Sequence, residues 1–170
     1  MPPYGLSTGR PDGRCVTVAR VEVRESVELS ASPDRVYPWV DDLGRYPSWL
    51  GIVSRVRVEG DLMWLVDLRG RVGPFARSTR WRMRRTIAEP ARQVVFERHE
   101  DDGRDHSPWV LRAVLEPLGS GTRLTVHLAY GGALWGPVLE RVLRDEIGQA
   151  KRRLQALVAG DAAPSPAQAP

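Results

Sequence analysis

The sequence predicts one α+β domain, a curved seven-stranded antiparallel sheet wrapped around a long C-terminal helix, with two short helices between the first and second strands. Three observations carry this expectation. A lone stretch of two-residue alternation, Val21 to Leu29, precedes a helix start at Ser32-Pro33. From Ile52 to Tyr130 the chain alternates almost throughout, broken only by turns rich in Gly, Pro and Asp. Beyond Gly131-Gly132 the apolar period becomes helical and holds to about Ala159.

In the first strand Val21, Val23, Val27 and Leu29 share one face, and Glu22, Arg24, Ser26 and Glu28 the other. Ser32 is an N-cap residue and Pro33 suits the first helical position, so a short helix through Val36, Trp39 and Val40 follows. It ends near Asp42–Gly44, and a second helical turn holds Tyr46, Pro47 and Trp49. Ile52 to Val58 alternates, and Gly60-Asp61 turns the chain. Leu62, Trp64, Val66 and Leu68 then share a face, and Gly70 to Pro74 is the next turn. Phe75, Trp81, Met83 and Ile87 mark the apolar face of a long strand, followed by Val94 and Phe96. Asp101-Asp102-Gly103 reads as a hairpin loop. Trp109, Leu111, Ala113 and Leu115 face inward on the next strand, and Leu124, Val126, Leu128 and Tyr130 on the last. Trp135, Val138, Leu139, Val142, Leu143, Ile147, Ala150, Leu154 and Leu157 recur at helical spacing. That stripe spans ~37 Å of helix at 1.5 Å per residue. Gly131-Gly132 is read as a sharp exit that uses glycine's freedom of dihedral angle.

A chain of 170 residues with 42% hydrophobic and 27% charged side chains suits one soluble domain. Residues 1–16 and the Ala/Pro-rich 160–170 lack apolar periodicity and are expected to be disordered, leaving 17–159 as the folded unit. Cys15 is the only cysteine, so no internal disulfide can form, and that usage fits a reducing compartment. No apolar leader core opens the chain and no apolar run is long enough to cross a bilayer. The expected location is therefore cytoplasmic. Net charge is +4, nearly all of the positive charge being arginine, with Lys151 the only lysine.

The opening VELSASPDRVYPWVDDLGRYPSWL resembles the START-like (SRPBCC) superfamily. That is the helix-grip fold shared with birch-pollen allergens, coenzyme Q-binding proteins and bacterial polyketide cyclases. Ser32-Pro33, Val36, Trp39, Asp42, Tyr46-Pro47 and Trp49 follow that superfamily's pattern, and the order of elements extends the likeness over 21–159. The resemblance implies an apolar cavity between sheet and long helix. Strand parity turns Trp64, Trp81, Phe96, Trp109, Ala113 and Tyr130 inward, and Trp135, Val138 and Val142 lie on the helix stripe. These residues either line the cavity or fill a dry core. Glu25, Arg77, Thr79, Arg98 and Ser107 share inward parity with apolar neighbours. They either orient a ligand at the cavity mouth, Glu25 pairing with Arg77 or Arg98, or reach water at strand ends.

His99, His106 and Asp105 flank one loop but lack a third firm ligand, so no metal is expected, and no cofactor. No catalytic residue can be assigned, and no Ser-His-Asp set can be assembled. Arg55, Arg57, Arg69, Arg71, Arg80, Arg82 and Arg84 form an outward basic band, partly neutralised by Glu59, Asp67, Glu97 and Glu116. It is either a solvated, charge-mixed face or a peripheral contact for an anionic membrane surface. No nucleic-acid motif accompanies it. The leading expectation is a non-catalytic carrier or sensor of a hydrophobic small molecule: a lipid, quinone, polyketide or aromatic metabolite. The alternatives are a polyketide cyclase or dehydratase, and a membrane-surface or protein-docking module built on the arginine band. Oligomeric state is not encoded in any motif here.

Overall fold

A computed structural model describes residues 20–72, 75–104, 106–131 and 136–160. The sequence expectations for both tails, Asp105, Gly132 and Trp135 lie outside those residues, as do those for the side chains of Arg71, Phe75, Arg77, Val138 and Val142. The elements are β1 (Arg20–Leu29), α1 (Pro33–Val40), a 3-10 helix (Leu43–Ser48), β2 (Val53–Gly60), β3 (Met63–Val72), β4 (Phe75–Glu89), β5 (Gln93–Arg98), β6 (Trp109–Leu118), β7 (Gly121–Gly131) and α2 (Gly136–Gly160).

All seven strands form one antiparallel sheet in the order β1-β7-β6-β5-β4-β3-β2. Strands β2 to β7 are successive hairpins, whereas β1 pairs with the last strand, Val23 opposite Leu128 and Val27 opposite Leu124. The chain must therefore travel from one sheet edge at Leu29 to the other at Val53. Helix α1 and the 3-10 helix make that journey, which is why they cap one end of the sheet.

The capping residues are fixed by specific bonds. Ser32 occupies the N-cap with Pro33 next, and its carbonyl accepts from the Arg35 and Val36 amides. Asp42 caps the 3-10 helix by accepting from the Gly44 amide at 2.8 Å, and also accepts from Trp64 Nε1 at 3.2 Å. Tyr46 donates its hydroxyl to the Val40 carbonyl at 2.9 Å, and Trp49 Nε1 donates to the Trp39 carbonyl at 3.2 Å. The Tyr46 and Trp49 rings lie 4.6 Å apart, and Tyr46 meets Phe96 edge-on. Burial, then the nearby Asp41 and Asp42, push the Tyr46 phenol far above its ordinary value. At the same end Arg35 donates to the Val158 carbonyl and Thr122 to the Ala31 carbonyl, tying α1 to α2 and β7.

Three expectations change. The Gly70–Pro74 turn is tighter, because β3 pairs onward until Val72 stands opposite Phe75. Ile87 does not face inward with Trp81 and Met83. A bulge between Arg85 and Ile87 moves Ile87 to the side of Val95, on the opposite face, where Ile87 is exposed. Arg85 keeps the inward direction, donating to the Asp41 carbonyl at 3.0 Å and lying 5.7 Å above the Trp64 ring. Finally, Gly131 serves close approach rather than an unusual dihedral, since a β-carbon there would stand 2.8 Å from Pro108 Cδ.

Candidate functional site

The concave face of the sheet is apolar by strand parity, and α2 lays Ala150, Leu154 and Val158 over it, all buried. These three are spaced four residues apart, the distance that returns a helix to the same face. Towards the capped end the space is solid. Val36, Val40, Val94 and Phe96 are fully shielded from solvent. Further along, sheet and helix part and leave a cavity of about 100 Å³.

Its walls are built from every layer. Val23, Glu25 and Val27 come from β1, and Leu124, Val126 and Leu128 from β7. Val66, Leu68, Trp81 and Met83 form the floor on β3 and β4, and Trp109 and Leu111 extend it on β6. Tyr46, Trp49, Leu50 and Ile52 close one side, and Ala150, Lys151 and Leu154 of α2 form the roof. The Trp81 and Trp109 rings touch, with centroids 4.1 Å apart, and Tyr130 packs edge-on to Trp109 at 5.2 Å. Polar chemistry is sparse. The Tyr46 hydroxyl is engaged with Val40, leaving Glu25, Ser26 and Lys151 as the other polar residues of the wall.

Of the residues expected to line the cavity, Trp81 and Trp109 are in the wall. Trp64, Phe96 and Ala113 are buried in the neighbouring packed core, with Trp64 edge-on to Phe96 at 5.5 Å, and Tyr130 backs the Trp pair. Of the expected mouth residues, Glu25 reaches the wall and Thr79 is exposed. Arg98 turns to the loop before β6. It donates from Nε to Glu100 at 3.0 Å and from Nη2 to His106 Nδ1 at 3.1 Å, and lies 5.7 Å above the Trp81 ring. Ser107 is half-buried in the loop before β6.

The two loop histidines turn to different aspartates, His99 Nε2 to Asp101 at 3.1 Å and His106 Nε2 to Asp102 at 2.7 Å. Among the described residues no group of three or more His, Cys, Asp or Glu could hold a metal ion. The outward arginines are partly paired. Arg80 meets Asp67 at 2.6 Å, and Arg82 meets both Glu59 and Asp101 at 2.8 Å. The Arg80 hydrogen bond holds the Asp67 carboxyl below its ordinary value.

Sequence reasoning missed Glu146. It stands one turn before Ala150 on the sheet-facing stripe of α2, and its Oε2 is buried without a hydrogen-bond partner. A carboxylate beside Asp145 and Arg144 reads as part of the solvated face, and only a strict four-residue count back from Ala150 would have exposed it.

A wrapped antiparallel sheet, an end plug and a gripping helix over an apolar cavity define a START-like protein, a fold that binds hydrophobic ligands. Solved structures carry the same fold. A START superfamily protein from Mycobacterium smegmatis aligns with a TM-score of 0.65 at 19% identity, covering 83% of this chain and 99% of that one. The Zhui aromatase/cyclase from Streptomyces sp. R1128 aligns with a TM-score of 0.63 at 17% identity, over 83% of this chain and 94% of that one. A conserved protein from Geobacillus kaustophilus gives 0.67 at 17% identity, over 83% and 97%. A comparison with curated protein sequences finds no match. Within the superfamily, the chain belongs to the polyketide cyclase / dehydrase and lipid transport family, whose model matches residues 20–159. No helix among the described residues is long and apolar enough to cross a membrane.

Proposed function

We propose that the protein binds and carries a small hydrophobic molecule, of the lipid, quinone, polyketide or aromatic class, in the cavity beneath α2. The observation that carries this reading is the wall itself, an almost wholly apolar surface around about 100 Å³ of unfilled space. Well-packed cores leave few voids larger than a water molecule. Dry engineered cavities of about 150 Å³ admit benzene. The space therefore suits a small ring or a chain end, and a larger ligand requires α2 or the loops to move outward.

The test fills the roof. Ala150→Leu adds apolar volume in the same wall that holds Trp81 and Trp109. A small quinone should quench the tryptophan emission of the parent at one molecule per chain, and the Ala150→Leu variant should lose that response while keeping its melting temperature. Were the interior solid, the parent would not bind and the substitution would cost ~1–3 kcal/mol through overpacking; that pair of results sinks the carrier reading.

A second reading, a cyclase or dehydratase, is favoured by the family whose model the chain matches, and Glu25, the acidic residue of the wall, is the place to test it. Turnover of a model polyketone by the parent, lost in Glu25→Gln with binding intact, is the result that reading requires.

A further inference from the structure

We infer that a tetrahedral oxyanion, a phosphate monoester or sulfate group, binds on the convex face of the sheet across Arg24, His127 and Arg112. These three side chains form one cross-strand row. Arg24 of β1 stands opposite His127 of β7, and His127 opposite Arg112 of β6. The neighbours of His127 in its own strand, Val126 and Leu128, point the other way and line the cavity. The sheet therefore separates the two sites, and the inference is independent of the carrier reading.

Charge sets this row apart from those beside it. Further along the same face Glu28, Arg123 and Glu116 alternate in sign, and Arg123 donates to Glu28 at 3.0 Å. Between the two rows Ser26 and Thr125 share a hydrogen bond of 2.9 Å. Arg24 and Arg112 are both exposed, and among the described residues neither has a salt bridge or a hydrogen bond. Like charges placed opposite one another weaken a sheet. His127 registers that repulsion: burial first, then Arg24 and Arg112, hold its pKa below the ordinary histidine value. Glu22 acts on it in the opposite sense and least, and has an interaction of its own. Glu97, diagonal to Arg112, stands opposite Arg84.

The spacing suits such a ligand. Neighbouring strands lie ~4.8 Å apart, so Arg24 and Arg112 rise from the sheet about 9.6 Å from each other. On their flexible stems both guanidinium groups reach a group held above the imidazole between them, and each presents a planar fork to two oxygens. A protonated His127 donates to a third oxygen. The bound charge offsets the repulsion within the row, so the anion and the proton on His127 each favour the binding of the other.

The experiment follows the histidine ring signals of the whole chain by NMR between about pH 5 and 8, with His127 assigned by its loss in His127→Gln. Sulfate, whose charge is constant over that range, is compared with chloride at equal ionic strength, because screening alone also raises the pKa of a histidine beside arginines. The His127 pKa should be higher in sulfate by about half a unit or more, a roughly threefold preference of the anion for the charged ring. His99 and His106, set against Asp101 and Asp102, should show no such difference. Arg24→Gln and Arg112→Gln should each raise the pKa in chloride and shrink the sulfate response, whereas Arg123→Gln in the paired row should leave it. Co-sedimentation with phosphatidic acid vesicles, lost in the Arg24→Gln/Arg112→Gln double variant, assigns the group to a lipid headgroup. A sulfate response without that attachment assigns it to a soluble ester. A His127 pKa equal in sulfate and chloride, an equal rise at all three histidines, or a response undiminished in the double variant overturns the inference.

Discussion

His127 is the residue with the plainest consequence for stability. It lies on β7 between its cross-strand partners Arg24 and Arg112, half-buried on the face away from α2. Burial first, then these two arginines, lower its pKa below the ordinary histidine value, and Glu22 opposes them weakly. The unfolded chain therefore binds the proton at higher pH than the folded one. Stability from this site is fully present above the unfolded value near 6.5 and is lost as pH falls through the lower folded value. Melting temperature should drop between pH 7 and 5, and His127→Gln should flatten that part of the profile; an unchanged slope would mean that other groups set it. Single residues were also where the sequence was least legible. Parity turns Trp64, Phe96 and Ala113 inward as surely as Trp81 and Trp109. Parity says nothing of depth, and depth decides which of them meet the end plug and which meet the cavity.

At the level of elements, two-residue alternation located all seven strands, helical spacing located α2, and the Ser32-Pro33 cap signal located α1. Alternation fails where the backbone departs from pleat, as at the Arg85–Ile87 bulge, because one extra residue exchanges the faces without leaving a mark in residue type. The grip of α2 is testable at Leu154, which is 1% exposed and forms part of the cavity roof. Leu154→Ala removes buried methyl groups beside existing empty space, so the neighbours have little reason to collapse inward. The expected loss is about 2–5 kcal/mol, in the upper half of that range, measured by denaturant unfolding. A loss below about 1 kcal/mol would show that α2 does not pack on the sheet at this turn.

Across the whole molecule, the first strand joins the sheet through the last. A β-carbon at Gly121 would collide with the Leu29 carbonyl oxygen, which shows how tightly the end of β1 is drawn against the start of β7. A fragment ending at Leu118 keeps β1 but removes β7, its neighbour in the sheet, along with α2. It should show no cooperative thermal transition, and a sharp transition in that fragment would refute the dependence. The same pairing imposes an order on biosynthesis. Ser26 and Thr125, joined by a 2.9 Å hydrogen bond, are 99 positions apart in the chain. At ~5–20 residues per second, β1 emerges from the ribosome several seconds or more before β7 exists to receive it. During that interval a strand bearing Val23, Val27 and Leu29 has no native partner, so the nascent chain is exposed to chaperone capture and mispairing until the last hairpin arrives.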